Sequence, residues 1–456
     1  MTRRRLALVL AVVFAALPVM GRAQTAPAEE PKKPAGPTFT PYGFILLNAY
    51  FNSHAFAADD YPQYALAAPT ATNDRGILLS NRYNRIGLRV GGLEAMGAKA
   101  GAVLEVDFGF GFALAGNQNV NQSVQTVNFD FYRPLVRMRI GYVTAAWENG
   151  DSKLTLLLGQ DYALVNPLFA VTVGYIGTPL FQNAGNIYTR SPMVKLTADL
   201  GKTTGLTVQA AVMDPMDQNA DVRTGQNQET PTLSSGNRSR IPQIEGRVAG
   251  RAKTDIVQTE IGVSGSYHKE RYALGTFAPG NPTAAAPSAP AFTANGRFID
   301  VDSMIGGVDA IFKFPFIEVR GEGYIGHNVD MYYGHLGQGG VNPVTAAGTV
   351  ANTTVLNNVI AKRTKGFWVQ GIVGLVPEIQ LTGGYGVDTP FRADVPNVNG
   401  NRVRNSIASA GIILAASKNL KFSAEGAYTY TTTRTGTARD ARNNGYQTVL
   451  SSQFTF

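Results

Sequence analysis

From about Thr40 to its last residue the chain repeats one unit, a segment of about ten residues in which apolar and polar side chains alternate. Successive side chains of a strand point to opposite faces, so each segment has one greasy face and one polar face. The gaps between segments are alternately short and long. The last segment, Gly445 to Phe456, shows the pattern plainly: Tyr446, Leu450, Phe454 and Phe456 share one parity with Thr448 and Ser452. Gln447, Ser451, Gln453 and Thr455 occupy the other parity. An apolar strand left with a free edge invites pairing with another chain. If this strand pairs with the first, the sheet closes and every backbone N–H and C=O inside a bilayer is satisfied.

Counted in order, the segments begin with Thr40 to Asn52, Asn81 to Leu93 and Ala100 to Phe110. Short turns are expected at Glu94 to Gly97, Asn149 to Asp151, Gly201 to Gly205, Ala252 to Asp255, Pro315, Pro377 and Ser417 to Asn419. The total is about sixteen strands, with roughly eight long connections and seven short ones. The fold class is therefore all-β, a transmembrane antiparallel up-and-down barrel. No stretch after Leu17 has eighteen consecutive apolar residues, which argues against helical spans. A propeller or β-helix would also give many short strands, but not this two-length alternation of gaps.

Composition agrees. Of 456 residues, 50 are Gly and 16% are charged. The mean hydropathy of -0.06 suits a wall that is apolar outside and polar inside. The absence of Cys excludes disulfides, thiolate metal sites and cysteine nucleophiles.

Residues 1–23 read as a secretory signal, with Arg3, Arg4 and Arg5 before the apolar run Leu6 to Leu17 and a small-residue site at Gly21 to Ala23. Removing it, with Arg22, takes the formal net charge from +8 to +4. Residues 24–38 are rich in Ala and Pro and read as a flexible periplasmic leader; residues 39–456 are the barrel domain. No basic run with interleaved aromatics appears, so nucleic acid is not an expected partner.

On one parity of neighbouring strands lie Arg85 and Arg89, then Glu105 and Asp107, then Arg137 and Arg139, with Lys195 farther on. Inside a pore such charges set ion selectivity. A positive ladder would favour anions; mutual neutralisation in a wall network is the alternative. Glu245 with Arg247, and Glu318, Arg320 and Glu322, look like balanced wall networks. The long connection 162–189 has no Asp, Glu, Lys or Arg and is bounded by Asp161 and Arg190. Leu168, Phe169, Tyr175 and Phe181 in or on it are candidates for a constriction. Its apolar side chains would make a greasy narrowing or simply pack on the wall. Trp147 and Trp368, with Tyr446 and Phe456, read as an interfacial aromatic girdle.

Enzyme signatures are weak. The run Gly321 to Gly326 has the glycine spacing of a dinucleotide site but continues as a strand with no helix after it. His54, His268, His327 and His335 are scattered without a metal-ligand frame. No Gly-x-Ser-x-Gly elbow supports a barrel hydrolase. No catalytic residue, metal or cofactor is expected.

The run Val136 to Val143, Leu156 to Gln160, and Arg190 to Leu196 together resemble the sixteen-stranded outer-membrane porin superfamily, especially the DcaP-like and phosphate-selective porins. The resemblance covers about Phe39 to Phe456. It implies a homotrimer in outer-membrane lipid, each protomer a passive channel for small hydrophilic or anionic solutes, with the third long loop folded inward. The terminal strand ending in Phe456 likewise resembles the signal read by the outer-membrane assembly machinery. Two departures stand out: porins commonly carry acids on the inward loop, and the helical coiled coil of the DcaP-like proteins is not evident in the Pro-rich leader. A structural or adhesion barrel with a blocked lumen is the other class that fits.

Overall fold

A computed structural model describes residues 36–66, 75–110, 135–215, 234–278, 291–336, 340–341, 354–356, 359–397 and 399–456. The expected signal at 1–23 and most of the leader at 24–38 lie outside them. Pro37–Phe456 forms one compact unit. Among the described residues no helix is long and apolar enough to cross a membrane.

Sixteen antiparallel strands close on themselves. They are β1 (Thr38–Asn52), β2 (Gly76–Ser80 and Arg85–Ala95), β3 (Ala98–Phe110), β4 (Leu135–Asn149), β5 (Ser152–Tyr162), β6 (Arg190–Leu200), β7 (Gly205–Met213) and β8 (Gln243–Lys253). Then follow β9 (Gln258–Ala278), β10 (Ala291–Lys313), β11 (Ile317–His327), β12 (Arg363–Val376), β13 (Ile379–Pro390), β14 (Arg402–Ala415), β15 (Leu420–Thr433) and β16 (Ala441–Thr455). Each strand pairs with its sequence neighbour, and β1 pairs with β16 from Phe44↔Thr455 to Asn52↔Gln447. That last pairing removes the free edge. A segment Thr354–Leu356 adds to β9, and Gly340–Val341 pairs with Ile360–Ala361.

The seven short turns lie at one end with both ends of the barrel chain. Gly97, Gly150 and Gly201 there have φ of 74°, 59° and 81°, a conformation that costs other residues energy. The strand ends joined by the long connections lie at the other end. β9 and β10 run to 21 and 23 residues, about twice what a bilayer crossing needs, so this hairpin rises beyond the wall.

Parity falls as the pattern requires. Ile45, Leu47, Leu104, Met138, Val263, Val308, Leu450 and Phe454 are exposed on the outer face. Asn48, Glu105, Asp107, Gln370, Glu425, Gln447 and Gln453 are buried on the inner one. An apolar outer belt on a closed barrel is the outer-membrane arrangement.

Two expectations need correction. The second strand is not continuous from Asn81: Asn81–Asn84 leave the ladder between its two pieces. The Asn84 side-chain oxygen takes the N–H of Leu46 at 2.7 Å, replacing a lost ladder bond. The break turns Arg82 inward onto Asp60, with Nη2 to Oδ1 at 2.6 Å, and both are buried. Trp368 is no girdle residue; it is 1% exposed and faces inward, while its neighbour Phe367 faces out. Trp147, by contrast, donates its indole N–H to Met96 O at the short-turn end, and Tyr446 and Phe456 are exposed at opposite ends of β16.

Candidate functional site

The connection 163–189 between β5 and β6 is too apolar to stand in water. Its backbone still needs hydrogen-bond partners wherever it is buried. Both requirements are met on the inner face of the barrel. The N–H of Leu164 goes to Glu245 Oε2 on β8 at 2.5 Å, and that of Leu168 to Glu322 on β11. Gln370 on β12 accepts from Val171 N at 2.7 Å and donates to Val171 O at 2.9 Å. Glu425 Oε1 on β15 accepts Val173 N and Gly174 N at 2.9 and 2.8 Å. Asn48 Nδ2 on β1 reaches Gly174 O at 2.9 Å, and Arg85 Nη2 on β2 reaches Ile176 O at 3.4 Å. Advancing along the loop, the anchors come from β8, β11, β12, β15, β1 and β2 in that order. The loop therefore follows the inside of the wall.

It then doubles back. Phe181 stacks on Trp368 with ring centroids 5.5 Å apart and an interplanar angle of 21°. The Trp368 indole N–H donates to Glu322 Oε2 at 2.9 Å, and Asn186 donates to the same oxygen at 3.0 Å. Gly185, at φ 99°, sits so close to the Phe367 backbone that a Cβ would lie 2.2 Å from its carbonyl oxygen. Tyr188 and Tyr333 exchange backbone hydrogen bonds of 3.1 and 2.7 Å, tying in the connection after β11.

Glu245 and Glu322 thus differ from the balanced networks expected of them. Each serves the loop, and Arg247 pairs instead with Asp309 and Glu260 at 2.5 and 2.7 Å. Arg320 does pair with Glu318.

The wall charges form a compact group where the loop leaves β5. Asp107 accepts Arg137 Nη2 and Arg139 Nη1, each at 2.7 Å. Glu105 accepts Arg139 Nε at 3.0 Å and the Tyr42 hydroxyl at 3.1 Å, and forms an ion pair with Arg85, whose Nε lies 3.3 Å away. Arg139 Nη2 donates to the Tyr162 hydroxyl at 2.7 Å. Arg190 lies over the Tyr162 ring, 5.5 Å from its centroid. Neutralisation is real but incomplete, because Arg85, Arg137, Arg139 and Arg190 outnumber the two carboxylates.

A cavity of about 140 Å³ opens between this group and the loop. Arg85, Arg139 and Arg190 line it together with Phe169, Tyr175 and Tyr188. Phe169 packs edge-on against Tyr162 and Tyr188, at 5.3 and 6.0 Å. Arg190 Nη1 and the Tyr175 hydroxyl are buried without a hydrogen-bond partner among the described residues. Burial, then the charge of Glu425, keeps the Tyr175 hydroxyl protonated, as a donor.

The candidate residues divide accordingly. Arg85, Arg139, Phe169, Tyr175 and Arg190 meet at the cavity; Glu105, Asp107 and Arg137 form the network beside it. Arg89 stands apart, stacked 3.9 Å from the Tyr42 ring centroid. Lys195 and Asp161 pair with each other. Leu168 and Phe181 pack with Trp368 elsewhere on the loop. Sequence reasoning missed Tyr162 and Tyr188 at the cavity and the anchoring roles of Gln370 and Glu425. For Gln370 and Glu425 inward parity was the available signal; Tyr162 shares the parity of the exposed Leu158, and Tyr188 lies outside the strands.

The histidines are not all isolated either. His268 and Glu270 on β9 meet Asp330 from the connection after β11, a grouping that sequence spacing did not reveal.

No protein-family model and no curated protein matches the sequence. Solved structures do. The outer membrane channel DcaP of Acinetobacter baumannii is similar over 93% of this chain and 99% of its own, at 15% identity and a TM-score of 0.59. The trimer form of OmpT, an outer membrane protein of Vibrio cholerae, is similar over 92% and 100%, at 11% identity and 0.51. The anion-selective porin from Comamonas acidovorans gives 92% and 100%, at 12% identity and 0.50. The fold is that of the sixteen-stranded porins, as the sequence resemblance implies.

Proposed function

We propose that this barrel is a passive diffusion channel for small hydrophilic solutes with a mild preference for anions, its cross-section set by the connection 163–189. One observation carries the anion preference: guanidinium groups outnumber carboxylates where the loop faces the wall, with Arg190 Nη1 and the Tyr175 hydroxyl unpaired at one cavity. Planar guanidinium groups suit oxyanions, and low-dielectric walls focus their field. A barrel of about sixteen strands is wide enough to leave an aqueous path beside an inward loop. The Comamonas structure is itself described as an anion-selective porin, which agrees with this reading.

A homotrimer in outer-membrane lipid is part of the proposal, supported by the trimer form of the similar Vibrio protein. So is recognition of the terminal strand by the assembly machinery. We read the chain as non-enzymatic. Ser53 Oγ does lie 2.9 Å from His54 Nδ1, but it also accepts the Tyr446 N–H at 2.9 Å. Among the described residues no carboxylate bonds the other nitrogen of His54 to complete a triad.

A barrel with an occluded lumen is the second reading, favoured by the near-complete burial of Tyr175, Phe181 and Ile187 of the inward loop. Planar-bilayer recording under a KCl gradient separates the two. Discrete steps with a reversal potential displaced toward that of chloride are expected. A folded barrel that gives no steps rejects the channel, and steps reversing toward potassium reject the anion preference.

A further inference from the structure

We propose that His268, Glu270 and Asp330 form a buried site for a divalent first-row metal ion, Zn²⁺ by preference, which fixes the connection after β11 to the barrel wall. One ring nitrogen and one oxygen of each carboxylate lie within 4.8 Å of one another. His268 and Glu270 are wholly buried, and Asp330 is 2% exposed. A histidine with two carboxylates is a donor set that Zn²⁺ takes at about 2.0–2.2 Å, so closure on a metal draws the three side chains together. With one nitrogen and two oxygens and no thiolate, the set also admits Mn²⁺, but Zn²⁺ binds such ligands more strongly.

The surroundings orient these ligands. Glu270 turns Oε1 toward His268 Nε2, 2.9 Å away, while its Oε2 accepts the Tyr272 hydroxyl. The same hydroxyl is 3.5 Å from Asp330 Oδ2. Supporting hydrogen bonds of this kind hold ligating carboxylates in place. The His268 Nδ1, though buried, has no hydrogen-bond partner among the described residues, an unusual state for a buried ring nitrogen. Ser303 Oγ donates to Asn328 O at 2.6 Å and brings the loop down to the wall just before Asp330.

Position gives the site a purpose. Two ligands belong to a rigid strand and the third to a loop that also carries Tyr333, the backbone partner of Tyr188. Val329, Met331 and Tyr332 around Asp330 are buried in the same cluster as Leu164 and Ile187 of the inward loop. A metal ion here would couple the outer connection to the loop that narrows the lumen. This inference does not depend on the channel's selectivity.

The test uses the full folded chain in detergent, stripped with a chelator and titrated with Zn²⁺ alone, with Ca²⁺ for comparison. Expected are one Zn²⁺ per chain, a higher melting temperature with Zn²⁺, and weak or no response to Ca²⁺. H268N and D330N should each weaken Zn²⁺ binding about 100-fold, and Y272F about tenfold. H54A serves as the histidine control and should bind as the wild type does. Gel mobility before and after heating confirms that each variant has folded. If D330N does not fold, H268N and Y272F decide. Co²⁺ bound to the wild type should give the visible spectrum of a nitrogen–oxygen site, lost in H268N. Zn²⁺ binding of equal strength in wild type and H268N overturns the proposal. So does a melting temperature that follows pH but not Zn²⁺, which would mean that Glu270 and Asp330 share a proton instead.

Discussion

Phe181, on the returning part of the inward loop, lies nearly parallel on the indole of Trp368, 5.5 Å between ring centroids. The loop is docked by this stack together with the Trp368 indole hydrogen bond to Glu322. Truncation of a buried Phe removes about 3–5 kcal/mol, of which stacking contributes about 0.5–1.5 kcal/mol. Most of that cost should fall on loop docking and not on the barrel, whose ladder Phe181 does not join. F181A is therefore expected to raise single-channel conductance and its variance while strand content stays constant. Unchanged conductance would show that the stack does not hold the aperture.

Glu425 is the most heavily used anchor, accepting Val173 N, Gly174 N and Ser423 Oγ on one oxygen and Thr172 Oγ1 on the other. Bonds to an ionised acceptor contribute about 1.5–3 kcal/mol each when removed. E425Q keeps an acceptor but loses its charge, whereas E425A loses both and leaves two buried N–H groups without a partner. Brief closures in single-channel records should increase in the order wild type, E425Q, E425A. Equal closure rates in all three would sink the anchoring role.

What could be read in advance follows from locality. Alternation in the last strand and in Glu105–Asp107 reports side-chain faces directly, because parity is a property of the strand alone. Closure of the first strand on the last followed from the need to satisfy edge groups. The inward course of 163–189 was implied by the porin resemblance and not by its own residues, whose lack of charge fitted a constriction or wall packing equally, and its partners were not legible. Glu322 sits two residues from Arg320 and so suggested an ion pair, yet its contacts come from Leu168 and Asn186, more than 130 residues earlier. Trp368 failed as a girdle residue for a similar reason. Next to Phe367 either aromatic could have faced the lipid, and only Phe181 and Glu322 explain which one turned inward. The break at Asn81–Asn84 depends on Asp60, in a connection whose sequence alone sets no register.

Arg190 gives the sharpest selectivity prediction. It lines the cavity and has no ion-pair partner among the described residues, so its charge adds to the field there undiminished. R190Q should lower the chloride-to-potassium permeability ratio roughly twofold or more, read from the reversal potential. The double variant D161N/K195Q removes a pair that already cancels and should leave the ratio near the wild-type value. The reverse ranking would move the selectivity determinant away from the cavity.

His335 makes loop docking sensitive to acid. Its backbone carbonyl accepts Asn183 Nδ2 at 2.6 Å and the Tyr64 hydroxyl at 3.2 Å, so it joins the connection after β11 to the inward loop. Burial, and then the charge of Lys362, lower its imidazole from 6.5 to about 4. A depressed folded value means that the neutral ring is favoured in the docked state. The stability this provides is present above about 6.5 and is lost as pH falls toward 4, where the docked state must also take up the proton. A shift of this size corresponds to about 3 kcal/mol. Melting of the chelated wild type should thus weaken between pH 7 and pH 4.5 more than that of H335N, which has no proton to gain; other acids cancel in the comparison. Since Asn183 and Tyr64 bond the backbone of residue 335, the substitution leaves those contacts available. Parallel pH profiles for the two proteins would show that His335 stays neutral whether or not the loop is docked, and that acid acts elsewhere.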